Sequence, residues 1–103
     1  MASPMKIRAT TTAGVTEVKA LMSHPMETGR RKDADGQLVP AHYITEVTAL
    51  HNDKLVLSAY WGPAVSQNPF LQFRFKGGAS GDKVVVTWKD TKGESRTDEV
   101  VLS

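Results

Sequence analysis

A cysteine-free chain of 103 residues fits a single domain, residues 1–103, that can bury one core without disulfides; it excludes thiolate nucleophiles and sulfur-ligated metals. Charged residues make up 23% and hydrophobic ones 40%, the balance of an ordinary globular domain, and no apolar run is long enough to span a bilayer. Thirteen basic and eleven acidic side chains leave a formal charge of +2, and their interleaving, as in Arg96-Thr97-Asp98-Glu99, predicts no strong single-sign field, no nucleic-acid partner and no membrane partner.

The N-terminal Met1-Ala2-Ser3-Pro4-Met5-Lys6 lacks a charged region followed by an apolar one, so no export signal is expected in this chain. Met5, Ile7 and Ala9 alternate with Lys6, Arg8 and Thr10, the period of two of a half-buried strand. Val18, Ala20 and Met22 alternate with Glu17 and Lys19 in the same way, and Gly14 between the two segments marks a tight turn. A long loop follows, from Ser23 to Ala41; loops of that length in compact domains are often functional. Its Arg30-Arg31-Lys32 run is read as a solvated face, because Asp33 and Asp35 follow at once. Asp33-Ala34-Asp35-Gly36 reads as a turn with a positive φ at Gly36; the calcium-loop pattern fails at Arg31 and His42.

Tyr43 to Leu50 is rich in β-branched and aromatic residues, and the turn His51-Asn52-Asp53 leads into Leu55-Leu57-Ala59-Trp61, so a hairpin is predicted with those four residues facing inward. A second unusual run, Trp61 to Phe70, echoes Ser23 to Asp33 in its mix of proline, polar and apolar residues. Leu71, Phe73 and Phe75 alternate with Gln72, Arg74 and Lys76, which assigns the first three to the core and puts Phe70 on the other register. Tyr60 likewise falls outside the inward set, so Tyr60 and Phe70 are the residues for an exposed apolar patch. Gly77 to Asp82 reads as a flexible loop, and no Lys-Ser or Lys-Thr follows to make it a phosphate loop. Val84, Val86 and Trp88 form the next strand, Asp90 to Gly93 a hairpin turn, and the charged segment from Glu94 to Leu102 an edge strand. About seven short strands with regular turns predict an all-β, immunoglobulin-like sandwich of antiparallel strands.

Chemistry is sparse. His24, His42 and His51 are too far apart in sequence to announce a metal site, although a fold could gather two of them with Glu27; no metal is expected. The plain reading is that His24 and His42 flank the long loop and hydrogen-bond to its backbone. Met22 is assigned to the core and Met26 to a loop or partner surface. No serine sits in a nucleophile elbow, and no carboxylate pair stands out. The residues left for partner binding are His24, Pro25, Met26, Glu27, Tyr60, Trp61, Pro63, Asn68, Pro69 and Phe70.

Taken together, Gly14–Ala20, Ser23–Gly29, Pro40-Ala41-His42, Trp61–Phe70 and Arg96–Glu99, in order and at compatible spacing, resemble the SoxZ family of the bacterial sulfur-oxidation carrier complex. That resemblance covers about Lys6 to Val100 and implies an immunoglobulin-like sandwich with no catalytic residue and no cofactor. It implies a heterodimer with a SoxY-like subunit whose C-terminal cysteine carries sulfur intermediates from thiosulfate. It also implies transient contact with the other Sox enzymes and a periplasmic location reached by co-export with a signal-bearing partner; whether the isolated chain pairs with itself as a homodimer is left open by the sequence. Two competing readings are a stand-alone immunoglobulin-like binding module and a small enzyme using His24 or His42 as acid or base.

Overall fold

The computed structural model describes residues 3–102. Seven strands account for the regular structure: β1 Lys6–Thr12, β2 Val15–Leu21, β3 Ile44–His51, β4 Lys54–Tyr60, β5 Phe70–Lys76, β6 Lys83–Asp90 and β7 Ser95–Val101. All pairings are antiparallel, in one sheet of order β1-β2-β5 and another of order β4-β3-β6-β7. The two sheets pack face to face as an immunoglobulin-like β-sandwich, the fold the strand count predicts.

Local chemistry sets the hairpins. Ala13 and Gly14 both take positive φ (52° and 78°), as do Asn52 and Asp53 (47° and 69°), the conformation that lets a two-residue turn follow the twist of its strands. Asp90 opens the third hairpin turn and Gly93 closes it at φ 78°. The polar strand β7 lies at the edge of the larger sheet, where charge discourages unwanted pairing.

Alternation fills the core. Val18, Ala20, Val47, Ala49, Val84 and Val86 are fully buried, with Met22, Ile44 and Trp88 the largest side chains among them. Burying a side chain as large as Trp88 stabilises by about 2–3 kcal/mol. Phe73 and Phe75 pack against this core from β5, as their register predicts.

Two expectations change. Leu55 is 57% exposed instead of inward, because a bulge between Ala49 and Leu50 leaves Val56 unpaired and throws the start of β4 out of phase with its end. The glycine-rich run from Gly77 to Asp82 is pinned where flexibility was expected. Asp82 accepts the Ala79 N–H at 3.0 Å and the His51 Nε2 proton at 2.8 Å, and Gly81 N–H reaches the Leu102 carbonyl at 2.7 Å.

Candidate functional site

The two unusual loops meet at one end of the sandwich. Asn68 N–H donates to the His24 carbonyl at 2.9 Å, and His24 N–H donates to Asn68 Oδ1 at 3.0 Å. Met22 N–H extends the seam to the Pro69 carbonyl at 2.9 Å. Asn68 holds φ at 52°, a left-handed conformation that asparagine tolerates better than other residues carrying a Cβ. On the far side, Glu27 and His42 exchange backbone hydrogen bonds of 2.7 and 2.9 Å, so the long loop leaves the body and returns to it at a fixed point. Beyond that bridge, Arg31 Nε donates to both Glu27 carboxylate oxygens, and Asp33 Oδ1 caps the turn by accepting from Asp35 and Gln37 N–H. A groove of about 650 Å³ runs between the loops, with Pro25, Glu27 and Arg31 on one wall and Pro63 and Gln67 on the other.

Beneath the seam lies a buried polar node. Asp90, at the end of β6, accepts His24 Nε2–H at 2.9 Å and His42 Nε2–H at 2.7 Å on a single oxygen, Oδ2. Its other oxygen accepts the Lys92 and Glu94 N–H groups at 3.0 and 2.9 Å, so the same carboxylate closes the β6–β7 turn. The Asp90 side chain is fully buried, and desolvation, the largest single influence, pushes its pKa up. The hydrogen bonds from His24, His42, Glu94 and Lys92 together outweigh that cost and hold the carboxyl below its ordinary range. The rings stack as well: His24 meets His42 edge-on at 4.5 Å and Trp88 at 5.0 Å. The buried Trp88 Nε1 has no hydrogen-bond partner among the described residues.

The ligand atoms of His24, His42 and Asp90 lie within 4.8 Å of one another, close enough to raise a metal site. The donor set does not fit one. His24 Nδ1 accepts the Met26 N–H at 3.1 Å, so the ring proton sits on Nε2 and points at Asp90. A cation on Nε2 would need the proton on Nδ1, where a backbone N–H already points. The third member is also Asp90, read from sequence only as a turn residue, in place of Glu27. A turn-opening aspartate is too ordinary to betray histidine partners more than forty residues away.

The residues singled out for partner binding divide by depth. Tyr60 is 83% exposed and Phe70 58%, while Pro25, Pro63 and Asn68 are exposed and Glu27 and Trp61 half-buried. His24, Met26 and Pro69 are buried. Met26 therefore sits in the loop but packs its side chain into the core and not onto a partner surface, and its Sδ lies 3.3 Å from Ile44 N. His24 has both ring nitrogens engaged, which leaves none for a substrate.

The sequence model of a protein family described as "Sulphur oxidation protein SoxZ" matches residues 5–101. The chain belongs to that family. A comparison with curated proteins finds no match.

Proposed function

Starting from that membership, we propose that the chain is the non-catalytic subunit of a periplasmic sulfur-carrier complex. It binds a SoxY-like subunit, and the cysteine at that subunit's C-terminus carries sulfur covalently during thiosulfate oxidation. The family match over residues 5–101 carries this reading. Two chemical facts support it. The chain has no cysteine, so the covalent carrier belongs in a partner. The most elaborate polar constellation, Asp90 with His24 and His42, spends its hydrogen bonds on holding loops together.

On this reading the fold supplies a stiff surface. The Trp61–Phe70 segment is anchored through Asn68 and Pro69, which fixes the exposed Tyr60 and Phe70 at its two ends. Such aromatics suit an interface anchor. On the same reading, an isolated subunit would pair with a second copy through one of these exposed aromatics. Export follows from assembly with a partner that bears the signal.

Co-purification tests the proposal. The chain, tagged in its native host, brings down a stoichiometric small subunit with one cysteine near its C-terminus. After thiosulfate feeding, intact-mass measurement finds added sulfur on that subunit. A lone monomer with no such partner would replace this reading with a stand-alone binding module.

A further inference from the structure

The even interleaving of charge along the sequence does not survive folding. Strict alternation in β1, β2 and β5 sends every second side chain of the three-stranded sheet to solvent. The registers then place those side chains side by side. Lys6 lies in the row of Leu21 and Phe70, and Arg8 in the row of Lys19 and Gln72. Thr10 lies in the row of Glu17 and Arg74, and Thr12 in the row of Val15 and Lys76. This one face holds five cations, Lys6, Arg8, Lys19, Arg74 and Lys76, and a single carboxylate, Glu17. Eight basic and ten acidic side chains remain for the rest of the chain, which is therefore net negative while the face is strongly positive.

Internal pairing leaves most of that charge unspent. Glu17 is taken by Arg74 at 2.9 Å and Gln72 at 3.0 Å, with Lys19 farther off at 3.7 Å. These contacts hold its carboxyl below the ordinary range, chiefly through Arg74. Lys6, Arg8 and Lys76 have no ion pair among the described residues. Arg8 sits directly opposite Lys19, a like-charge cross-strand pair that costs stability in every sheet. A local conflict of this kind is what functional surfaces tend to carry.

We propose that this outer face is an electrostatic landing site for acidic protein surfaces that the carrier visits transiently; the inference rests on the carrier reading and goes beyond it. Size argues for a transient partner. Three strands of seven residues make a patch of roughly 23 by 14 Å, far short of the ~800 Å² per partner of a stable complex. Composition argues for protein over nucleic acid. Glu17, paired with Arg74, breaks the run of free cations that a continuous phosphate backbone would need, and Leu21, exposed by 41%, supplies an apolar contact at one end. Steering of this kind acts on association rate more than on affinity.

The test uses the assembled carrier complex and each purified enzyme that loads or strips its sulfur. Arg8→Glu with Lys76→Glu leaves three cations and three carboxylates on the face, and Arg8→Glu turns the like-charge pair into an ion pair, so the fold is kept. Wild-type association rates fall steeply with added salt. The variant associates about tenfold more slowly at low ionic strength, with a flat salt response and dissociation rates little changed. Equal rates for variant and wild type would overturn the inference. So would tighter binding of wild type to duplex RNA or to phosphatidylglycerol vesicles than to the enzymes. A chain that fails to assemble with any cysteine-bearing subunit overturns the carrier reading along with this one, whereas an intact complex with unchanged rates overturns this one alone.

Discussion

Asn68 grips His24 twice, donating its own N–H to the His24 carbonyl at 2.9 Å and accepting the His24 N–H on Oδ1 at 3.0 Å. That double contact makes two sequence-distant loops one structural unit. It also ties a left-handed residue to a buried histidine, so backbone conformation and side-chain chemistry can be separated by substitution. Asn68→Gly keeps the φ of 52° and loses only the Oδ1 bond, costing about 1 kcal/mol. Asn68→Ala loses the bond and also strains the backbone, costing about 2–3 kcal/mol. Urea unfolding of both variants checks the order; equal losses would mean that the conformation carries no strain.

Asp90→Asn strikes the node directly. Asp90 accepts four protons, two from histidine rings and two from backbone N–H groups, with no group of its own to donate. An asparagine amide replaces one acceptor oxygen by a donor that faces other donors. The expected loss is about 2–3 kcal/mol at neutral pH. Because the folded carboxyl titrates below its ordinary value, its stabilisation is complete above about pH 4 and is lost as pH falls through the lower folded value. The gap between wild type and variant therefore narrows on acidification. Denaturant midpoints from pH 7 to pH 2 would show it, and a gap that widened in acid would contradict the account.

His24 and His42 share the same carboxylate oxygen but not the same depth. The His24 side chain is 2% exposed and that of His42 17%. His24→Ala leaves a cavity beside Trp88, an unpaired Met26 N–H and a weakened Asp90, for a loss of about 3–4 kcal/mol. His42→Ala opens onto solvent, which rehydrates the carboxylate, for a loss of about 1–2 kcal/mol. A His24→Ala defect in carrier function thus reports folding before it reports partner contact. Thermal and urea unfolding of the two variants decide the ranking.

The strands were legible because each carries a period-two pattern of its own, and that pattern survives wherever the register is uninterrupted. Val18, Ala20, Phe73, Phe75 and Trp88 fall on the side their alternation indicates. Leu55 fails because a bulge shifts phase, and nothing in its own segment marks the extra residue in the pairing. The site was half legible. Proline, asparagine and glycine flagged the two loops, and Tyr60 and Phe70 emerged from their registers. Asp90 stayed hidden because its partners are brought to it by the sandwich, and Met26 because a methionine in a loop reads the same whether it points in or out. The basic face stayed hidden for a related reason: charges two residues apart on three separate strands add up only once the registers are set.

Gly78 tests how tightly the run from Gly77 to Asp82 is held. A Cβ there would run into Thr16 Oγ1, with Thr11 Oγ1 at 3.0 Å and Leu102 Cδ1 at 3.2 Å, at a φ of 114° that side chains avoid. Thr16 cannot retreat cheaply, since it is buried and donates to the Gly77 carbonyl at 2.7 Å. Gly78→Ala is expected to cost more than about 2 kcal/mol. Gly81→Ala meets no atom within 4 Å and pays only for its φ of 90°, about 1 kcal/mol. Equal midpoints for the two variants in urea would show that the Thr16 contact yields freely.

Tyr60 and Phe70 separate partner binding from folding. Each leads its side chain into solvent from the end of an edge strand, Tyr60 on β4 and Phe70 on β5. Neither belongs to the packed core, so Tyr60→Ser and Phe70→Ser should shift stability by no more than about 0.5 kcal/mol. If they anchor a SoxY-like subunit, each loses about 1–2 kcal/mol of binding, roughly a fivefold to thirtyfold rise in Kd. Isothermal titration of each variant with the purified partner measures this directly. An unchanged Kd for both would move the constitutive interface away from this end of the sandwich, whereas a loss confined to Phe70 would extend it onto the basic face, where Phe70 shares a row with Leu21 and Lys6.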